Sequence, residues 1–312
     1  MDIKSQYNSP LVYQRADPYV LYKDGMYYFT GSIPQYDLIE LRCARTLDGL
    51  TFANSKIIWR RHRSGELSAH IWAPEIHFID GKWYIYFTAN SNDDIWSIRP
   101  YALMCEGDPM KDEWRELGRI DVGHDSFALD MTTAVIGGRQ YFAWAQTTDH
   151  ELGSEIRIAE AETPVRLKSE PVVITTPEYE WEKRGFKVNE GPAFLHRNGK
   201  VFLTYSASDT GPNYCMGMLW AVEDADLLAP ASWHKSPEPV FKTSAESMRY
   251  GPGHNCFTTD GEDDVMIYHS RSYPDIWSED PLYDPNRHAY AMRIEYDENG
   301  FPVFDDPEKE NN

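Results

Sequence analysis

Residues 17–32 read DPYVLYKDGMYYFTGS. An alternating run reaches Asp24-Gly25, a pair that tolerates positive φ, and a second run rich in Tyr and Phe follows, which is the pattern of a β-hairpin. The pattern returns four times: APEIHFIDGKWYIYFTA from Ala73, DMTTAVIGGRQYFAWAQ from Asp130, GPAFLHRNGKVFLTYSA from Gly191 and HNCFTTDGEDDVMIYHS from His254. The turn glycines Gly25, Gly81, Gly138, Gly199 and Gly261 stand 56, 57, 61 and 62 residues apart.

That period is the length of a four-stranded sheet with its loops. Five such units predict an all-β fold, a five-bladed β-propeller whose sheets pack face to face around a central channel. A two-sheet sandwich is the alternative, and it supplies no reason for the period. No Pro/Ser-rich linker interrupts the repeats, so residues 1–304 read as one domain, and the acidic segment DDPEKENN, 305–312, reads as a disordered tail.

Composition narrows the partners. A net charge of −20 over 312 residues repels nucleic acid and anionic membrane surfaces, which leaves a neutral substrate as the better fit. The 20 Tyr and 10 Trp suit aromatic strands, or sugar rings stacked on indoles. No run approaches the roughly 18 apolar residues of a membrane span. MDIKSQYNSPLVYQRADPYV lacks the charged and apolar regions of a leader, so a cytoplasmic location is expected. Cys43, Cys105, Cys215 and Cys256 are far apart and read as reduced core thiols.

Aligned on the turn glycines, Asp17 and Asp130 each stand eight residues ahead, and Glu190 stands nine ahead of Gly199. Anchoring the last repeat on Phe194 and Phe257 sets His254 opposite Gly191. The starts of the innermost strands of a propeller surround one mouth of the channel, so three acids converge there. Crowded carboxyl groups repel, and their pKa values separate until one is a proton donor while another stays ionised.

With Arg15-Ala16-Asp17-Pro18, Trp72-Ala73-Pro74-Glu75-Ile76, Leu129-Asp130, Asn189-Glu190-Gly191-Pro192 and Gly251-Pro252-Gly253-His254-Asn255 in this order, the chain resembles glycoside hydrolase family 43 over nearly its whole length. That family comprises five-bladed propeller enzymes that act on arabinans, arabinoxylans and xylosides. The resemblance implies that Asp17 is a general base, that Glu190 is the general acid, and that Asp130 tunes and orients the acid. Met131 follows Asp130 where the family often has a small residue. Asp17 lies in Ala-Asp-Pro-Tyr, not in the Asn-Asp-Pro-Asn-Gly type segment of the retaining invertase-like propellers, which favours inversion of configuration.

The resemblance also implies that His254 lies in the channel and approaches a bound structural Ca2+ through water, with no cofactor required. Trp72 is expected to stack on a sugar or close the pocket, and Arg287, next to His288, to reach sugar hydroxyls or the acids. Asp37 is expected to contribute to a subsite, whereas Glu75 lies two residues past the aligned position and reads as structural. The expected activity is release of a terminal pentose by an exo-acting α-L-arabinofuranosidase working on arabinan- or arabinoxylan-derived oligosaccharides. A β-xylosidase of the same fold is the alternative, and a propeller that only binds carbohydrate is the alternative of another class.

Overall fold

The computed structural model describes residues 9–149 and 151–304, and the acidic tail expected after Phe304 lies outside them. Five antiparallel sheets follow one another along the chain. Their innermost strands are Ala16–Lys23, Ala69–Ile79, Phe127–Ile136, Asn189–Arg197 and Tyr250–Asp260, and each packs on the innermost strands of both neighbours, which closes the ring. The five-bladed propeller is therefore the observed fold. Among the described residues the only helices are short 3-10 turns.

The repeated dipeptides make the hairpins. Asp24-Gly25, Asp80-Gly81, Gly137-Gly138 and Asn198-Gly199 all have positive φ at both residues, as a type I′ turn needs. In the fifth hairpin, where Asp260 pairs with Asp263, only Gly261 does, the pattern of a II′ turn. Between blades the apolar faces interdigitate in five clusters, one for each interface: Ile39 and Leu41 meet Ile85 and Leu103, for example, and Phe202 and Met218 meet Met266 and Tyr268. Met131 packs between the second and third blades with Tyr86 and Phe142. The fifth sheet has three strands, and the segment at Leu11 and Val12 bonds to Ala289 on its outer strand, so the start of the chain completes the last blade.

One irregularity recurs in every blade. Each innermost strand carries an extra residue at its start, between Ala16 and Tyr19, Trp72 and Glu75, Leu129 and Thr132, Glu190 and Ala193, and Gly253 and Cys256, and the second and fifth carry another just ahead of it. The bulged residues are Asp17, Ala73, Asp130, Gly191 and His254, and all five have φ between 43° and 57°. Proline follows three of them, as Pro18, Pro74 and Pro192. A bulge is a place where a strand can lose an N–H without losing a ladder bond, so the X-Pro pairs in the sequence mark the bulges themselves.

A buried ion pair holds the segment that leads into the fourth bulge. Glu182, with none of its surface exposed, accepts from the N–H groups of Glu178 and Tyr179 at 2.7 and 2.8 Å, from Tyr205 Oη at 2.9 Å, from Asn189 Nδ2 at 3.0 Å, and faces Lys235 Nζ at 2.8 Å. Every lone pair of this carboxylate has a partner, which is the condition under which a buried charge is tolerated. Asn189 precedes Glu190, so the network sets where that side chain starts.

Replacing Lys235 by Met should leave the carboxylate without its cation and lower the unfolding free energy by about 3–5 kcal/mol. Lys82→Met, which removes an exposed, solvent-screened pair with Glu106, should change it far less. Denaturant unfolding of the two variants checks this, and equal small effects would contradict the role assigned to the Glu182 network.

Candidate active site

The five bulges bring their residues to one mouth of the channel. There Asp17, Asp130, Glu190, His254, Arg287 and Trp72 line a single cavity of ≈ 470 Å³. Asp17, Asp130 and His254 share the bulged position itself, whereas in the fourth blade that position is Gly191 and Glu190 stands just before it. Gly191 has to be glycine: its φ is +53°, and a Cβ there would come within 3.0 Å of the His254 ring.

A bulge frees the N–H of its residue from the ladder, and a buried N–H needs an acceptor. The preceding blade supplies it. Ala73 N–H donates to Ser32 Oγ at 2.8 Å, Asp130 N–H to Thr88 Oγ1 at 3.2 Å, His254 N–H to Ser206 Oγ at 2.7 Å and Asp17 N–H to His269 Nδ1 at 3.0 Å. Gly191 N–H donates instead to the side chain of Asp130, Oδ2, at 3.0 Å.

The acids differ in what surrounds them. Burial alone would raise the Asp17 carboxyl, but His254 and Arg287 outweigh it, with Nδ1 and Nη1 at 3.3 and 3.6 Å from Oδ1, and hold it well below the usual carboxylate range. Ser32 Oγ adds a hydrogen bond to Oδ2 at 2.5 Å. His269 Nδ1 is also 3.3 Å from Asp17 Oδ1, yet a nitrogen that accepts the Asp17 N–H cannot donate to its carboxylate. His269 is neutral, because burial pushes its pKa down to about 3.

Asp130 and Glu190 are shifted the other way. Burial raises Asp130 first, against the pull of His254, and repulsion from Glu190 and Asp17 adds to it. Burial raises Glu190 as well, and Asp17 adds to it, although Tyr214 Oη donates to Oε1 at 2.7 Å and favours the ionised form. Two buried carboxyl groups that repel each other hold one proton between them into the neutral range. The site therefore carries an ionised carboxylate and a carboxyl pair that keeps a proton. His254, which burial alone would lower, is raised by Asp17, Asp130 and Glu190 and supplies positive charge among the three acids.

Around the acids, Trp72 stacks on His70 at 4.5 Å and meets Tyr36 edge-on at 5.9 Å. Arg287 donates to Tyr36 Oη at 2.6 Å, and Tyr36 donates to the Leu282 carbonyl at 2.7 Å, which ties one side of the cavity shut.

Asp37 is a correction. It does not line the cavity, and neither does its neighbour Tyr36, which meets the site through its hydrogen bond from Arg287. Glu75 is buried against His77 Nε2 at 3.0 Å, and His288 Nδ1 receives the Gln14 N–H at 3.0 Å, so neither belongs to the cavity.

His254, expected from the sequence to approach a structural Ca2+ only through water, turns one ring nitrogen to the acids. Its Nδ1 is aimed at Asp17 and Asp130, at 3.3 and 3.9 Å, and among the described residues no group of three or more His, Cys, Asp or Glu side chains is arranged to hold a metal ion.

Tyr214, Tyr36 and Trp96 went unnoticed in the sequence because they lie in or beside loops without a repeat register. His269 and the hydroxyls of Ser32, Thr88 and Ser206 were detectable, since three of the four stand seven residues after their turn glycines.

The model of the family described as "Glycosyl hydrolases family 43" matches residues 7–302. A curated relative from Streptomyces avermitilis, named extracellular exo-alpha-(1->5)-L-arabinofuranosidase, is 49% identical over 306 residues, which are 96% of this chain and 63% of the relative. The chain thus spans a little under two thirds of that relative's length. A protein of the same name from Streptomyces chartreusis is 48% identical over 86% of this chain and 84% of its own. The crystal structure of an alpha-L-arabinofuranosidase from Lactobacillus brevis superimposes with a TM-score of 0.93 at 50% identity, covering 97% of both chains. Both Streptomyces relatives are named extracellular, which does not support the cytoplasmic location expected from the sequence. Among the described residues no helix is long and apolar enough to cross a membrane. With five blades, three acids at one channel mouth and a family model that matches almost end to end, the chain belongs to glycosyl hydrolases family 43.

Proposed function

We propose that this chain is an inverting, exo-acting α-L-arabinofuranosidase that releases the terminal pentose of arabinan- or arabinoxylan-derived oligosaccharides. The observation that carries the reading is the meeting, in one cavity, of an ionised Asp17 with the proton-holding pair Asp130 and Glu190. The names and close identity of the relatives support the choice of sugar.

In this mechanism Glu190 protonates the departing glycosidic oxygen while a water attacks the anomeric carbon from the opposite side, and the carbon–oxygen bond breaks as the new one forms. Asp17 takes the proton that the water gives up. So strongly acidic a carboxyl is a weak base toward ordinary water. Its proton transfer therefore comes late, once bonding to carbon has made the water acidic, and until then its negative charge orients the water and stabilises the developing cation. Burial first, and then repulsion from Asp17, raises Glu190, and Asp130 shares a proton with it as the repelling partner. Because the raised Glu190 must be protonated, activity is present at lower pH and falls as pH rises through the value of the pair.

The cavity is closed beside Arg287, which suits a terminal sugar, so the remainder of the substrate leaves by the open side. A second cavity of ≈ 520 Å³ adjoins there, sharing Trp96, Phe127 and Thr147 with the first. Trp96 is 61% exposed, and its ring lies 6.4 Å from His70, which stacks on Trp72. An exposed indole in line with the pocket aromatics is a platform for the next sugars of the chain.

Glu190→Gln is expected to lower kcat on a 1,5-linked arabino-oligosaccharide by about 10²–10⁴, the scale of general acid catalysis, and to impair an aryl arabinofuranoside with a strongly acidic leaving group much less. Equal loss on both substrates would remove Glu190 from the acid role. An aryl xyloside run beside the arabinoside tests the sugar, and hydrolysis of neither would remove the enzymatic reading.

Trp96→Ala should reduce kcat/KM about tenfold on arabinotriose, as expected for the loss of one stacking contact, with little change on the aryl arabinoside. A uniform change across both would contradict a subsite at Trp96.

A further inference from the structure

The ring of bulge N–H bonds is broken in one place. Ser32, Thr88, Ser206 and His269 pair across the hairpin with Ala16, Trp72, Glu190 and Gly253, the residues just before the bulges, and each receives the bulge N–H of the next blade. The residue at this position in the third blade is Ala145, paired with Leu129. It is fully buried and has no side-chain acceptor. Here, and at no other bulge, the N–H of the next blade goes to a carboxylate, that of Asp130.

The first blade shows what a hydroxyl does in this position. Ser32 Oγ stands between the Asp17 carboxylate, at 2.5 Å, and the Ala73 N–H, at 2.8 Å, as a relay from one blade to the next. Asp17 is thereby kept one hydrogen bond away from the neighbouring backbone. Asp130 occupies the same register without a relay, so its carboxylate advances to the backbone of the fourth blade and bonds the residue that follows Glu190.

We propose that Ala145 is a positioning residue. The absence of an acceptor there delivers the Gly191 N–H to Asp130 and so fixes Asp130 against Glu190. The same two aspartates, on equivalent bulges, acquire different surroundings through one side chain in each following strand. This inference rests on the reading of Glu190 as the general acid with Asp130 as the group that tunes it.

The groups facing the pair are His254, with Nδ1 3.9 Å from Asp130 Oδ2, Tyr214 on Glu190, and Asp17 and Arg287 across the cavity. None of these contacts Ala145 by a hydrogen bond, so a substitution there reaches the pair through the Gly191 N–H.

Ala145→Ser tests the proposal, with Ala145→Cys as the variant of similar bulk whose sulfur is a poor acceptor. Melting temperatures establish that both fold, and kcat, KM and the pH profile are measured on a 1,5-linked arabino-oligosaccharide. The serine should take the Gly191 N–H and draw Asp130 back from Glu190. The expected result is a kcat lower by about tenfold, the scale of a slightly misplaced catalytic group, with KM nearly unchanged. The alkaline limb should be displaced, because Asp130 loses the N–H that favours its ionised form and stands differently toward Glu190. The cysteine variant should share any packing loss but not the displaced limb. Equal effects of Ser and Cys with an unmoved pH profile, or a Ser variant indistinguishable from the parent, would overturn the proposal. Failure of the functional reading is separate: it would appear as absence of hydrolysis by the parent chain, or as full activity of Glu190→Gln.

Discussion

The site depends on a backbone constraint: one residue at the start of each innermost strand is held in the left-handed region. For residues other than glycine this conformation costs about 1–2 kcal/mol, and short polar side chains tolerate it best. The extra residue turns its side chain to the channel mouth and pushes its N–H out of the ladder toward the preceding blade. One distortion, repeated five times, thereby aims functional groups at a single cavity and stitches the blades together at the axis. Asp17, Asp130 and His254 use it to present side chains, Gly191 uses it to let His254 lie close, and Ala73 is buried in one apolar cluster with Trp72. Strain of this kind persists only where the surrounding packing over-determines it, and the five apolar interfaces between blades supply that packing.

Much of this was legible in the sequence, for a definite reason. The turn dipeptides are tied to φ, and φ to residue type, so Gly25, Gly81, Gly138, Gly199 and Gly261 betray the hairpins and their period gives the number of blades. Asp17 and Asp130 follow, because they stand at a fixed distance from those turns. Glu190 fell one residue out of register, and the cause is physical: the bulge occupies Gly191, and the acid reaches the cavity from the residue before it. Every repeat carries the same extra residue, so aligning the repeats with one another does not reveal the bulge, although the prolines after Asp17, Ala73 and Gly191 are its trace. Asp37 was expected at the site from its nearness in sequence to the first hairpin, but the folded loop leaves it outside the lining of the cavity. Tyr214 and Trp96 come from segments outside the register, where only the folded chain brings distant residues together.

Electrostatically, the cavity separates two tasks that identical side chains could not perform in identical surroundings. Arg287 and His254 stand beside Asp17 and keep it ionised, while Asp130 and Glu190 stand beside each other and hold a proton. The aspartates begin from the same bulged position, and their neighbours decide the difference: Ser32 relays for one, and Ala145 leaves the other to bond Gly191 directly. Glu190 is held from two sides, by Tyr214 at its oxygen and by the buried Glu182 and Lys235 pair through Asn189. The chemistry thus rests on contacts that run between blades, and the propeller serves as the frame that brings them to one point.

An ionised Asp17 facing a protonated Glu190, with water between base and sugar, requires that configuration at the anomeric carbon be reversed in a single displacement. The direct measurement is a proton NMR spectrum of the first pentose released from an arabino-oligosaccharide, recorded before mutarotation. The arrangement predicts an initial product of configuration opposite to the bond cleaved. An initial product of retained configuration would mean that Asp17 attacks the sugar itself, and would contradict its assignment as a base acting through water.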